Sequence, residues 1–332
     1  MALAPEAIMA SHDLPDRWQG RTRFVILATG FEAGHPFLAT WAAWRADPDR
    51  CEHLVFMAIE QHPLSREDMR RLHGCPAATQ TIAHPDAEGA TGGDALARRL
   101  IQAWPPITPG MHTLDLDEPE LATPGHRPRV SLLLCLGDVQ TVVPGLAARV
   151  DAFCLSGLSS PTTSSEAHGD LRWVSRLNRL AATGATAATG NQEPREAAAM
   201  AAALTQAGFE VTRTPCLERG FERLAARYQP RYQAPQPPGG LPDRAEPGHA
   251  VVLGAGLAGC AAAWALCREG WQVTLLDRHD QPAQEASGNP GGLFHSVLHG
   301  DDGVHARAHR AAALQTAALT APWMDAGRLP GQ

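Results

Sequence analysis

Three glycines and one acid carry the clearest chemical signal in this 332-residue sequence. Gly254-x-Gly256-x-x-Gly259 lies between an apolar run, AVVL at 250–253, and a helix-forming stretch at 260–268. In that context each glycine has a mechanical task. The first permits a tight turn, the second lets backbone approach a pyrophosphate, and the third allows close packing of helix on strand. The helix N-terminus then offers unpaired N–H groups and a partial positive charge to phosphate oxygens. Asp277 ends the next apolar run, WQVTLL at 271–276, 23 positions after Gly254. A carboxylate there can accept hydrogen bonds from the ribose hydroxyls of a dinucleotide.

A looser version of the pattern occurs near the start of the chain. Gly30-x-x-x-Gly34 follows FVIL at 24–27, Glu60 ends LVFMAI at 54–59, and Asp138 follows VSLLLCL at 130–136. Ligands of open parallel sheets bind beyond the carboxyl ends of the strands. Glu60 is therefore positioned to take a ribose and Asp138 to reach the base end of an adenosine, although ordinary loop glycines and exposed acids would look the same.

Other clusters carry less. His295/His299 and His305/His309 form two HxxxH pairs around Asp301 and Asp302, but Gly300 and Gly303 argue against one continuous helix, and no metal site is expected. Trp41 and Trp44, on an amphipathic helical segment at 37–45, belong in the core. Arg213, Arg219, Arg223, Arg227 and Arg231 fall within 19 residues that hold only Glu218 and Glu222, a local charge of +3.

The elements that must position these groups follow from the apolar pattern. Strands are expected at 24–27, 54–59, 130–136, 150–155 and 209–212, and helices at 37–45 and 196–206. Continuous apolar strands separated by helices indicate a parallel sheet covered on both faces. The stretch from about 78 to 128, rich in Pro, Gly, Asp and Ala, gives no clear element. Residues 229–249 contain six Pro and almost no large apolar side chain, which describes an extended linker. The domains expected are 1–228, a linker at 229–249, and a C-terminal piece at 250–332 that opens with one βαβ unit.

Composition bounds the function. The chain is 44% hydrophobic and 19% charged, enough to build packed cores. A net charge of −7 excludes a protein that coats nucleic acid over its whole surface, so any such contact must be local. All 28 basic residues are Arg, which rules out a lysine Schiff base and a P-loop lysine. Seven Cys without a C-x-x-C pair fit a reduced, cytoplasmic protein, and no membrane or export segment is visible.

Several stretches then resemble one family. They are LPDRW at 14–18 with FVILATGFEAGHPFLATWAAWR at 24–45, AIEQHPL at 58–64, LGDV at 136–139, VDAFCLSG at 150–157, HAVVLGAGLAGCAAAWAL at 249–266, and ASGNPGGLFH at 286–295. Together they look like the bifunctional tRNA 5-methylaminomethyl-2-thiouridine biosynthesis proteins. The resemblance implies two doubly wound, Rossmann-like α/β domains, the second truncated. The first would be an S-adenosyl-L-methionine-dependent methyltransferase and the second the N-terminal part of an FAD-dependent oxidoreductase. Both would act on the wobble uridine of tRNA: the flavin half removes a carboxymethyl group from the side-chain amine and the other half methylates the freed amine. An alternative is a non-catalytic remnant that at most binds adenosine-containing ligands. In this frame Gly254, Gly256, Gly259 and Asp277 hold FAD, while Gly30, Gly34, Glu60 and Asp138 hold the methyl donor. Arg219 and Arg223 contact tRNA phosphates. Ser156 stands where the family has its catalytic Asp, and Glu32 where its first loop has a glycine.

Overall fold

The structure, a computed structural model, describes residues 5–75, 92–123, 128–155, 171–216, 220–230, 248–289, 291–292 and 300–328. The chain divides into two units, one formed by 1–233 with 298–332 and the other by 234–297.

The first unit is built on an eight-stranded sheet. Its elements in chain order are α1 (Pro5–Ser11), β1 (Arg23–Ala28), α2 (His35–Ala46), β2 (His53–Glu60), α3 (Arg66–Leu72), α4 (Gly92–Gln102), β3 (Gly110–Asp117), β4 (Arg129–Leu136), α5 (Val139–Gly145), β5 (Val150–Leu155), α6 (Leu177–Leu180), β6 (Ala181–Thr189), α7 (Pro194–Gln206), β7 (Phe209–Pro215) and β8 (Glu222–Tyr228). The strands lie in the order β3-β4-β2-β1-β5-β6-β8-β7. The five in the middle, β4, β2, β1, β5 and β6, are parallel, and antiparallel strands close both ends.

The two-residue period of the strands distributes apolar side chains to both faces. Phe24, Ile26 and Ala28 of β1 enter one buried cluster with Trp18, Phe37, Trp41, Trp44, Leu100 and Trp104. Val25 and Leu27 enter the other, with Phe153, Trp173, Leu177, Met200 and Leu204. Trp41 and Trp44 are fully buried, as their spacing requires, and each indole N–H has a partner: Trp41 donates to Glu118 Oε1 at 2.6 Å and Trp44 to the Cys51 carbonyl at 2.9 Å. Glu118, itself 1% exposed, also faces Arg45 at 2.9 Å and Arg99 at 3.0 Å, so the buried carboxylate is paired as well as hydrogen-bonded.

Three strands lie outside the sequence expectation. β3 falls in the stretch that gave no element. β6 reads AATGATAAT, too poor in large apolar residues to stand out, and β8 reads ERLAARY, whose alternation is short. A further helix, α9 (Val304–Asp325), packs on β3, and His305 and His309 lie on it with ring centroids 4.3 Å apart.

Among the described residues the second unit is built on one βαβ motif. It consists of β9 (His249–Leu253), α8 (Leu257–Arg268) and β10 (Gln272–Leu276), with β9 and β10 parallel from His249↔Gln272 to Leu253↔Leu276. Both units are Rossmann-like in construction. Among the described residues no helix is long and apolar enough to cross a membrane.

Candidate cofactor sites

The glycine elbow forms as its spacing predicts. Gly254 has φ +99°, a left-handed conformation that only glycine adopts readily, and Gly256 is the residue from which α8 starts. Gly259 faces the turn at very close range: a Cβ there would lie 1.8 Å from the Gly254 carbonyl oxygen. No other residue can occupy that position with this backbone.

Asp277 closes the elbow from the end of β10. Its Oδ2 accepts the Ala255 N–H at 2.7 Å and its Oδ1 accepts the His279 N–H at 2.8 Å. These two backbone bonds, with His279 Nδ1 at 3.0 Å, hold the carboxyl at about 2, below its ordinary 3.8. Ser287, in the quoted ASGN motif, accepts the Leu257 N–H at the start of α8 at 3.1 Å.

The first unit repeats this arrangement. Glu60 Oε2 accepts the Phe31 N–H at 3.1 Å and its Oε1 accepts the His62 N–H at 2.8 Å. Thus in both units an acid at the end of the second parallel strand grips an amide of the preceding loop and the amide two residues beyond itself. Each carboxylate oxygen accepts one such bond and keeps further acceptor capacity. Gly30 and Gly34 lie in the loop after β1, Glu60 ends β2 and Asp138 follows β4, so all four stand at the carboxyl ends of parallel strands. Asp138 caps α5, accepting the Gln140 N–H at 2.6 Å.

The loop itself is unusual. Glu32, Ala33 and Gly34 have φ of +51°, +57° and +83°, a left-handed run in which two members are not glycine. Two imidazoles support it, with His35 Nδ1 2.9 Å from the Glu32 carbonyl, His73 Nε2 2.8 Å from the Ala33 carbonyl, and ring centroids 5.0 Å apart. The motif spacing gave no sign of this buttress, because His73 comes from the end of α3.

A second network lies beneath the sheet's central strands. Arg17 Nη1 donates to Thr186 Oγ1 at 2.7 Å, His12 Nδ1 lies 2.7 Å from the same oxygen, and His12 Nε2 lies 3.4 Å from Cys154 Sγ. Burial, with Arg17 nearby, pulls His12 down to about 3, so its ring is neutral at pH 7. A neutral ring donates from one nitrogen and accepts at the other, so the hydroxyl and the thiol play opposite parts at its two ends. Burial pushes the Cys154 thiol up to about 12, which makes it a packing group and not a nucleophile.

The remaining sequence candidates separate. Ser156 and Arg219 lie outside the described residues, as do His295 and His299. Arg223, exposed on β8, donates from its Nε to Asn191 Oδ1 at 2.6 Å. Its neighbours Arg213 and Arg227 pair with Glu222 and Asp13, at 2.7 and 3.2 Å. Among the described residues no group of three or more His, Cys, Asp or Glu could hold a metal.

Comparison with known proteins bears on both units. Residues 249–329 match the FAD dependent oxidoreductase family. The tRNA 5-methylaminomethyl-2-thiouridine biosynthesis bifunctional protein MnmC of Methylibium petroleiphilum is 46% identical over 330 residues, covering 99% of this chain and 46% of the relative. The protein of the same name from Burkholderia lata is 40% identical over 328 residues, covering 98% and 45%. The chain therefore spans about half the length of the curated relatives it matches. Among solved structures, MNMC2 from Aquifex aeolicus aligns with a TM-score of 0.44 at 14% identity, over 67% of this chain and 58% of that one.

Proposed function

We propose that this chain, similar over nearly its whole length to part of the bifunctional tRNA 5-methylaminomethyl-2-thiouridine biosynthesis proteins, takes part in completing the modified wobble uridine of tRNA. In this reading the first unit is the methyltransferase and the second begins the flavin site. The elbow of the second unit would hold a flavin able to take a hydride from the carboxymethyl C–H bond beside the amine nitrogen, so that water can then cleave the resulting C=N bond and release the amine. The first unit would hold S-adenosyl-L-methionine as the methyl donor to that amine.

The residues present fit both groups. The carrying observation is the acid clamp found twice, Glu60 on Phe31 and His62, and Asp277 on Ala255 and His279. Each acid is fixed by backbone before any ligand arrives, and each retains lone pairs for a ribose diol. In the second unit the Gly256–Gly259 elbow and the start of α8 leave room and N–H groups for phosphate. In the first, Gly30, the left-handed run and the Asp138 cap stand around the strand ends where an adenosine would lie. Ser156 follows β5 directly, and as a hydroxyl it can orient an amine by hydrogen bonding while being a poor proton acceptor at neutral pH. A cytoplasmic location belongs to the same reading.

The test is calorimetric titration of S-adenosyl-L-methionine into the intact chain, beside the Glu60→Gln variant. The expected result is a heat of binding in the wild type and an affinity about tenfold lower in the variant, since a hydrogen bond to a charged group is worth about 1.5–3 kcal/mol. Absence of binding to the wild type overturns the methyltransferase assignment. Methyl transfer to tRNA bearing aminomethyl-uridine then tests the substrate.

A further inference from the structure

The loop between β1 and α2 points to a residue that lies outside every motif of the sequence. Glu32 and Ala33 carry side chains at φ of +51° and +57°, a region that residues other than glycine avoid. Such a run persists only where its surroundings over-determine it. Here the restraint falls on the two carbonyls. A carbonyl oxygen only accepts, so the nitrogen facing it must carry a proton. His35 Nδ1–H therefore donates to the Glu32 carbonyl at 2.9 Å, and His73 Nε2–H to the Ala33 carbonyl at 2.8 Å. The two donors differ in kind. His35 is exposed and three residues from its acceptor, whereas His73 is half-buried, 40 residues away and part of another element.

That element is firmly seated. His73 caps the C-terminal end of α3, and Gly74 at φ +63° stops the helix there. Ser65 caps the other end, accepting the Asp68 N–H at 3.1 Å. Between them Met69 is fully buried in the cluster that also holds Phe31 and Trp104. Arg66 donates to the Trp104 carbonyl, and the Trp104 ring lies 5.3 Å from that of Phe31.

The loop in turn carries the grip on Glu60. Phe31, two residues before Ala33, donates its N–H to Glu60 Oε2 at 3.1 Å. The Gly34 N–H returns to the Phe31 carbonyl at 2.8 Å, which closes 31–34 into one turn. This turn has no slack, since a Cβ on Gly34 would lie 3.0 Å from both Leu100 and Phe31. It moves as one piece, so releasing the Ala33 carbonyl displaces the Phe31 amide.

We propose that His73 is a positioning residue for the methyl-donor site: by holding the Ala33 carbonyl it keeps the Phe31 amide on Glu60 and the carboxylate set for its ligand. The identity of that ligand rests on the function proposed above; the tie from α3 to Glu60 rests on the geometry.

Two variants of the intact chain separate the donor from the ring. His73→Phe keeps a ring beside His35 and removes the N–H, whereas His73→Gln removes the ring and keeps a donor in its carboxamide. Amide hydrogen exchange at the Phe31 N–H, followed by NMR, is expected to be about tenfold faster in His73→Phe and within about threefold of the wild type in His73→Gln. Calorimetry should show S-adenosyl-L-methionine binding about five- to tenfold more weakly to His73→Phe, with affinity recovered in His73→Gln. A residue that only filled space would give the opposite order, because phenylalanine preserves the ring. Arg71→Ala, exposed on the same helix, should match the wild type in both measurements. If His73→Phe does not fold, His73→Leu takes its place with the same expectation. Wild-type exchange and affinity in a folded variant without the donor overturn the tie and leave the proposed function standing. Faster exchange with unchanged affinity overturns the positioning role. Failure of the wild type to bind S-adenosyl-L-methionine overturns the proposed function and the ligand named here, while the order of exchange rates still decides the tie to Glu60.

Discussion

The Asp277 carboxylate and the Ala255 amide, 22 residues apart in the chain, meet at 2.7 Å and join the end of one strand to the glycine turn that follows another. This bond makes the acid part of the elbow's own structure. The group that would read a ribose is thus set in place by the same contact that shapes the phosphate cradle.

A pH prediction follows from the depressed titration of that acid. Asp277 stays ionised to about 2, below its ordinary 3.8, because Ala255 and His279 donate to it. A carboxyl whose folded value is lowered contributes stability that is fully present above 3.8 and is lost as pH falls through about 2. The elbow should therefore be unchanged from neutral pH down to mildly acidic conditions. Carboxyl-carbon NMR should report a midpoint near 2 for Asp277, rising only slightly in His279→Ala, which keeps both backbone donors. A wild-type midpoint at the ordinary value would refute the clamp.

Gly259→Ala should dismantle the second unit alone. The added Cβ would sit 1.8 Å from the Gly254 oxygen, a backbone atom that cannot retreat without opening the turn. Protease sensitivity is expected to appear between 248 and 289, with loss of any FAD uptake, while the thermal transition of the first unit is kept. Full protection of that segment in the variant would contradict the close approach.

In the left-handed loop, adjacent substitutions should have opposite consequences. Ala33 holds φ +57°, which costs a non-glycine residue about 1 kcal/mol, and glycine's greater unfolded-state freedom costs about the same. Ala33→Gly should leave stability within about 0.5 kcal/mol of the wild type, where the same change inside a helix costs about 1. Gly34→Ala combines φ +83° with a Cβ 3.0 Å from both Leu100 and Phe31, and should lose about 2 kcal/mol. Denaturant midpoints of the two variants measure the difference.

How much of this could be read beforehand depends on where each signal resides. β1, β2, β4 and β5 are continuous apolar runs and announce themselves, as do the glycines and the acids at the strand ends, because those positions are fixed by local geometry. β6 hides among alanines and threonines that are buried only because neighbouring strands flank them. β3 alternates in HTLDLD, with His112, Leu114 and Leu116 buried, but its flanking prolines and glycines obscure the period. The His12–Thr186 contact spans 174 residues and the His73 support of Ala33 spans 40, so only the folded chain brings them together. Local charge density marked 213–231 for phosphate, and its described members Arg213, Arg223 and Arg227 lie exposed on β7 and β8 with Glu222, Asn191 and Asp13 as partners.

Glu118, gripped by Trp41 of α2, Arg45 of α2 and Arg99 of α4 just past the end of β3, has a mechanical consequence. An outermost strand ordinarily frays first, one ladder bond at a time. Here, peeling it away would drag a buried anion out of three partners, so the strand and both helices are bound to melt in concert. The margin of the sheet is thereby turned from its weakest seam into a part that holds until the unit as a whole gives way.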